Sequence, residues 1–195
     1  MYKRQLIIFI SSILICIPLA FYYQDANLFL NELGMKNAAG VMTLGRISEA
    51  LFILLLPIFL NKYGIKKTLI VGMFAWSLRY VLFAFGDTGS NIWMLIFGIV
   101  LHGICYDFFF VSGQIYTDFK AGEKYKSAAQ GLIALATYGL GMLIGFRLAG
   151  RVTDQFALDP GHDWTQIWII PAIFAAVVLV IFILTFKNEK IEIEK

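Results

Sequence analysis

Charge is scarce in this chain. Of its 195 residues only 15% are Asp, Glu, Lys or Arg, whereas 59% are hydrophobic, and the mean hydropathy is +0.76. A composition so apolar excludes a soluble domain and points to a chain whose solvent is lipid. Cysteine is almost missing. Cys16 and Cys105 both fall inside apolar runs, which excludes a disulfide framework and leaves no ligand spacing for a metal, so both are expected to be packing residues. No HExxH-like or paired Asp-rich motif occurs, and this argues against a membrane-embedded enzyme. The net charge of +3 forms no basic groove, so nucleic acid is not an expected partner and the lipid surface is. Polar residues at every second position, which a transmembrane barrel strand requires, are absent.

Long hydrophobic runs, by contrast, fill the sequence. Six are read, roughly 6–30, 44–60, 68–86, 92–116, 127–149 and 167–186. Each is near the roughly 20 residues with which a helix crosses about 30 Å of hydrocarbon. The expectation is an all-α membrane protein, a single domain over residues 1–195 built as a six-helix transmembrane bundle. The first run follows Lys3 and Arg4 as a secretory signal would. It continues through Phe21, Tyr22 and Tyr23 without a small-x-small cleavage site, and Ile15 before Cys16 does not suit a lipoprotein, so it is read as a true span.

Basic residues alternate between the two sides. One set of connections holds Lys3 and Arg4, then Lys62, Lys66 and Lys67, then Lys120, Lys124 and Lys126, then Lys187, Lys190 and Lys195; the other holds only Lys36, Arg147 and Arg151. Loops rich in Lys and Arg stay cytoplasmic, so both termini are predicted to be cytoplasmic. The segment from Val152 to Gln166, with Asp154, Asp159, Pro160, Gly161 and Asp163, is expected to be a solvated external loop.

Ionisable and amide side chains inside the spans are costly in hydrocarbon and mark candidate functional positions. Gln24 and Asn27 share a face of the first span through i, i+3 spacing, and Arg46 and Glu49 do so in the second. Arg79 lies in the third; His102, Tyr106, Asp107 and Gln114 lie in the fourth. Two roles stand open for most of them. Arg46 and Glu49 either neutralise one another within a turn or handle substrate and protons. Gln24 and Asn27 either join helices or bind a ligand. His102 is an interior histidine or a pH-sensitive contact, and Arg79 is expected as a structural counter-ion for Glu49 or Asp107. Asp107 has the strongest functional claim, since its own helix offers no cation one turn away. In the fifth span Gly141 and Gly145 form a small-xxx-small pair that permits close helix approach.

Several stretches carry a family resemblance. LNKYGIKK from Leu60 to Lys67 looks like a degenerate form of the DRxGRR-like cytoplasmic loop of the major facilitator superfamily, with Asn61 where an acid is usual and Ile65 where a base is usual. FYYQDANLFLNELG from Phe21, MTLGRISEALFILLLP from Met42, GMFAWSLRYVLFAFG from Gly72, HGICYDFFFVSGQIYTD from His102 and SAAQGLIALATYGLGMLIG from Ser127 are more specific. Together they resemble the carboxyl-terminal half of the bacterial nucleoside:proton symporters, the nucleoside permease family, across nearly the whole chain.

The resemblance implies one six-helix half of a major facilitator fold, carrying nucleosides and protons and powered by the proton gradient with no cofactor. It implies substrate contacts from Gln24, Asn27, Arg46, Glu49, His102, Tyr106 and Asp107, with Glu49 and Asp107 as proton-coupling candidates. Arg46 stands where the family's LGQxSE-like stretch has Gln, His102 where Tyr is familiar, and Tyr106 where Phe is common. A carrier of this kind needs two halves, so a missing amino-terminal six-helix half or a second copy is the expected partner. The competing expectation is a membrane scaffold, or a carrier fragment inactive alone.

Overall fold

A computed structural model describes residues 2–187 of the chain. Lys190 and Lys195, two of the basic residues used to orient the chain, lie outside the described residues. In lipid every backbone N–H and C=O must be satisfied within the chain, and apolar runs of this length meet that demand as helices. Five helices long and apolar enough to cross a membrane occur among the described residues. They are α1 (Tyr2–Glu32), α2 (Ala38–Phe85), α3 (Ile92–Ala121), α4 (Lys126–Gln155) and α5 (Trp164–Thr185).

The second and third runs of the sequence form one continuous element. α2 has 48 residues, about 72 Å of helix at 1.5 Å per residue and more than twice the thickness of a hydrocarbon core. It is broken at Gly64, whose φ of 76° and ψ of 169° are not helical. Only a residue without a Cβ takes this conformation cheaply, so the chain turns at Gly64 without leaving a loop. Just beyond it the Lys66 ammonium donates to the Ile183 carbonyl at 3.0 Å, placing the break beside the end of α5. The other two ends of α2 lie together at the opposite pole, where the Thr88 hydroxyl donates to the Leu33 carbonyl at 2.7 Å.

Packing among the limbs is close. A Cβ on Gly103 of α3 would stand 2.6 Å from the Ser48 carbonyl carbon and oxygen, and the Ser48 hydroxyl accepts the Gly103 N–H at 3.1 Å. Gly141 and Gly145 of α4 meet Cys16 and Ala20 of α1, with the backbone of Ile13 and Ile17 behind them, which is the close approach expected of the pair. Both cysteines are buried and free. The core is strongly aromatic: Tyr80 stacks on Trp168 of α5 with ring centroids 5.6 Å apart, and Phe29 and Phe83 pack edge-on to the same indole.

Two helices carry π-helical turns, Tyr106–Val111 in α3 and Leu135–Gly141 in α4. Wider turns of this kind free or redirect backbone groups, and the Trp76 indole N–H takes up the Cys105 carbonyl at 3.1 Å. The loop expected from Val152 to Gln166 is shorter. α4 runs to Gln155 and α5 starts at Trp164, because the Asp163 carboxylate caps the Gln166 N–H at 3.2 Å.

Candidate functional site

The polar residues of four helices meet on one face. From α1 come Tyr23, Gln24 and Asn27, all exposed; from the first limb of α2 come Arg46 and Glu49; from α3, His102 and Tyr106; from α4, Tyr138. Arg46 is the hub. Its Nη1 donates to Glu49 Oε2 at 2.9 Å and lies 3.4 Å from His102 Nε2, while Nη2 donates to the Tyr23 hydroxyl at 3.4 Å. The same Glu49 oxygen lies 3.7 Å from His102 Nε2. The Arg46 side chain is still 57% exposed, so the pair confers little stability and its donors stay accessible.

Behind this face sits Arg79, with no exposed surface. Its Nη1 contacts His102 Nδ1 at 2.9 Å, and its guanidinium lies 3.6 Å from the Tyr22 ring centroid with Phe83 and Trp76 around it. Cation–π contacts of this kind reach about 2 kcal/mol when desolvated, which offsets part of the cost of burying the charge. The counter-ion role expected of Arg79 is therefore corrected: among the described residues it forms no ion pair with Glu49 or Asp107 and reaches Glu49 through the imidazole. His102 is an interior histidine, 1% exposed, between two arginines.

Asp107 stands apart from that cluster. It is fully buried in the π turn of α3, and neither carboxylate oxygen has a hydrogen-bond partner among the described residues. A charge left so would be very costly, so the site calls for a proton or a mobile partner. Gln24 and Asn27 do share a face but do not bond each other. Gln24 donates to Asp25 Oδ1 at 3.3 Å, and Asn27 accepts from Asn31 at 2.9 Å and reaches Met42 Sδ at 3.8 Å across to α2.

Two further side chains belong to the site and were not singled out in the sequence. Tyr138 meets Tyr106 hydroxyl to hydroxyl, joining the two π turns across α3 and α4. Asp25 is buried beside Gln24, its Oδ2 without a partner among the described residues. The signal for Asp25 was the one that drew attention to Asp107, a carboxylate inside an apolar run. No group of three or more His, Cys, Asp and Glu that could hold a metal occurs among the described residues.

Comparison with known proteins places the chain in a family. The family model described as nucleoside H+ symporter matches residues 1–191. YegT of Escherichia coli (strain K12) is 42% identical over 199 residues, which cover 98% of this chain and 47% of YegT. The nucleoside permease NupG of Escherichia coli (strain K12) is 31% identical over 98% of this chain and 48% of its own length. The crystal structure of the nucleoside transporter NupG shares the fold with a TM-score of 0.86 at 31% identity, covering 96% of this chain and 49% of that one. The chain thus spans about half the length of the relatives it matches. With apolar helices packed as in a transporter and a polar cluster converging on one face of them, this chain belongs to the nucleoside H+ symporter family.

Proposed function

We propose that this chain is the carboxyl-terminal half of an alternating-access carrier that moves nucleosides across the bacterial inner membrane in symport with protons. The observation that carries the proposal is the polar face made by the exposed Gln24, Asn27, Arg46 and Tyr138 with the half-buried Glu49 and Tyr106, on helices otherwise suited to lipid. α2 crosses the membrane twice around Gly64, giving six spans with both termini cytoplasmic. An amino-terminal six-helix half supplies the opposite wall, and rocking of one half against the other alternates access.

Each residue has a role suited to its chemistry. The Glu49 carboxylate and the amides of Gln24 and Asn27 take the paired hydroxyls of the ribose, Arg46 donates to base oxygens, and the Tyr106 ring offers the base a face. His102 supports the ligand from behind Glu49. Asp107 and Glu49 are the proton-coupling candidates, and the unpartnered burial of Asp107 supports it as a group that is neutral in one state and engaged in another.

Uptake of radiolabelled uridine tests the proposal in cells that express the chain with an amino-terminal half of the same family. Uptake is expected with both halves, abolished when the proton gradient is collapsed, and lost in Asp107→Asn despite normal membrane insertion. Unchanged uptake in Asp107→Asn would assign that residue to packing. Failure of every amino-terminal half to restore uptake would remove the main support for a half-carrier.

A further inference from the structure

His102 is held from both sides by groups whose hydrogen-bonding capacities differ. A guanidinium has N–H donors and no acceptor, so the 2.9 Å contact between Arg79 Nη1 and His102 Nδ1 can only be a bond donated to the ring nitrogen. Nδ1 must then carry a lone pair. The ring's single proton is left on Nε2, which faces Glu49 Oε2 at 3.7 Å. With a proton there, Nε2 cannot accept from Arg46, and Arg46 Nη1 directs its own bond to the same Glu49 oxygen at 2.9 Å. Glu49 Oε2 is therefore approached by two donors, and Oε1 accepts no hydrogen bond among the described residues.

The ring has little freedom to turn. Tyr22 and Tyr23 of α1 lie with ring centroids 5.2 and 6.5 Å from it, and Tyr106 lies one turn along α3 at 6.0 Å. Those tyrosines, with Arg46, Glu49 and Arg79, are the titratable and charged groups seen to contact it. Arg79 is buried completely and touches no exposed part of the site, so it acts only through what it holds.

We propose that Arg79 is a positioning residue: by occupying His102 Nδ1 it fixes the Nε2–H tautomer, and this aims one N–H at Glu49 and leaves Glu49 Oε1 open toward the ligand. The role rests on the proposed nucleoside site, whereas the tautomer itself does not. It also accounts for the joint presence of His102 and Arg79, since without a donor at Nδ1 the Nε2 atom faces the Glu49 carboxylate, which favours a proton there, and the Arg46 guanidinium, which favours a lone pair, and the two pull the tautomer in opposite directions.

The chain has two histidines, His102 and His162, so His162→Asn leaves one ring for nitrogen-15 histidine spectroscopy in lipid nanodiscs. Without ligand, the expected spectrum shows His102 Nδ1 at the downfield position of an unprotonated nitrogen and Nε2 at the upfield position of an N–H. A proton on Nδ1, or on both nitrogens, in the otherwise native protein would overturn the proposal, and that result needs no variant of Arg79. In Arg79→Met the signature is expected to spread over both tautomers, with uridine uptake by the assembled carrier falling about tenfold, as for loss of one positioned hydrogen bond. Arg79→Lys, which keeps a donor, is expected to restore the Nε2–H signature. A folded Arg79→Met protein with the parent spectrum and parent uptake would likewise overturn it. Loss of uptake in every form, parent included, would count against the nucleoside site and leave the spectrum to decide the tautomer.

Discussion

Gly103 has no space for a side chain. A methyl group there would meet the Ser48 carbonyl at 2.6 Å, and backbone rather than a flexible side chain would have to move. Gly103→Ala is expected to destabilise the detergent-solubilised protein by about 1–3 kcal/mol, read as a lower unfolding temperature. Gly131→Ala, whose Cβ would meet nothing within 4 Å, is expected to raise it slightly, by about 0.5–1 kcal/mol of helix preference. Arg46 separates two roles that its sequence position leaves open. Arg46 is largely exposed and Glu49 partly so, and Arg46→Ala is therefore expected to change stability by only about 0–1 kcal/mol while uridine uptake drops severalfold. Parent-level uptake in that variant would reduce the pair to mutual neutralisation.

The helices were legible from hydropathy because lipid gives apolar runs one affordable backbone conformation. Their boundaries were less so. The gap between 60 and 68, which the basic residues mark as a loop, is instead a break inside α2 at Gly64, since one residue with positive φ reverses the path without interrupting the helical hydrogen-bonding on either side. Gly64→Ala is expected to cost about 1–2 kcal/mol, detected as a lower unfolding temperature. The connection from 86 to 91 depends on another local device: the Asp87 carboxylate accepts the Asn91 N–H at 3.1 Å and the Gly89 N–H at 2.6 Å, and these bonds hold its pKa below the usual carboxylate range. The folded-state pKa is the lower one, so the stabilisation is present at neutral pH and is lost as pH falls through that lowered value. Hydrogen exchange at Gly89 and Asn91 should therefore stay slow at neutral pH and speed up in Asp87→Ala. The π turns at Tyr106–Val111 and Leu135–Gly141 carried no hydropathy signal, because a wider turn leaves the apolar run unbroken.

Across the whole molecule the coverage is uneven. The first limb of α2 and the α4 helix keep large apolar side chains outside, Leu54 at 71% and Leu135 at 63%. Lipid is a surrounding that such surfaces suit. Orientation is open to direct measurement, since Cys16 and Cys105 are buried and give a low background. Tyr125→Cys is expected to react with an impermeant maleimide only from the cytoplasmic side, and Leu158→Cys only from outside. The reverse pattern would invert the proposed topology.

Composition and the length of the apolar runs determined that the chain is an all-helical membrane protein, and polar residues inside those runs marked most of the side chains that meet on the candidate face. Those properties follow from the cost of placing each residue in hydrocarbon, which is nearly independent of its neighbours. The partners of those side chains were decided by tertiary structure alone. His102 stands between Arg46 and Arg79, Arg79 rests on Tyr22 rather than on a carboxylate, Tyr138 closes on Tyr106, and the Asp107 carboxylate has no hydrogen-bond partner among the described residues. Each contact joins residues tens of positions apart and depends on how closely glycines and π turns let the helices approach, a distance that no single span encodes.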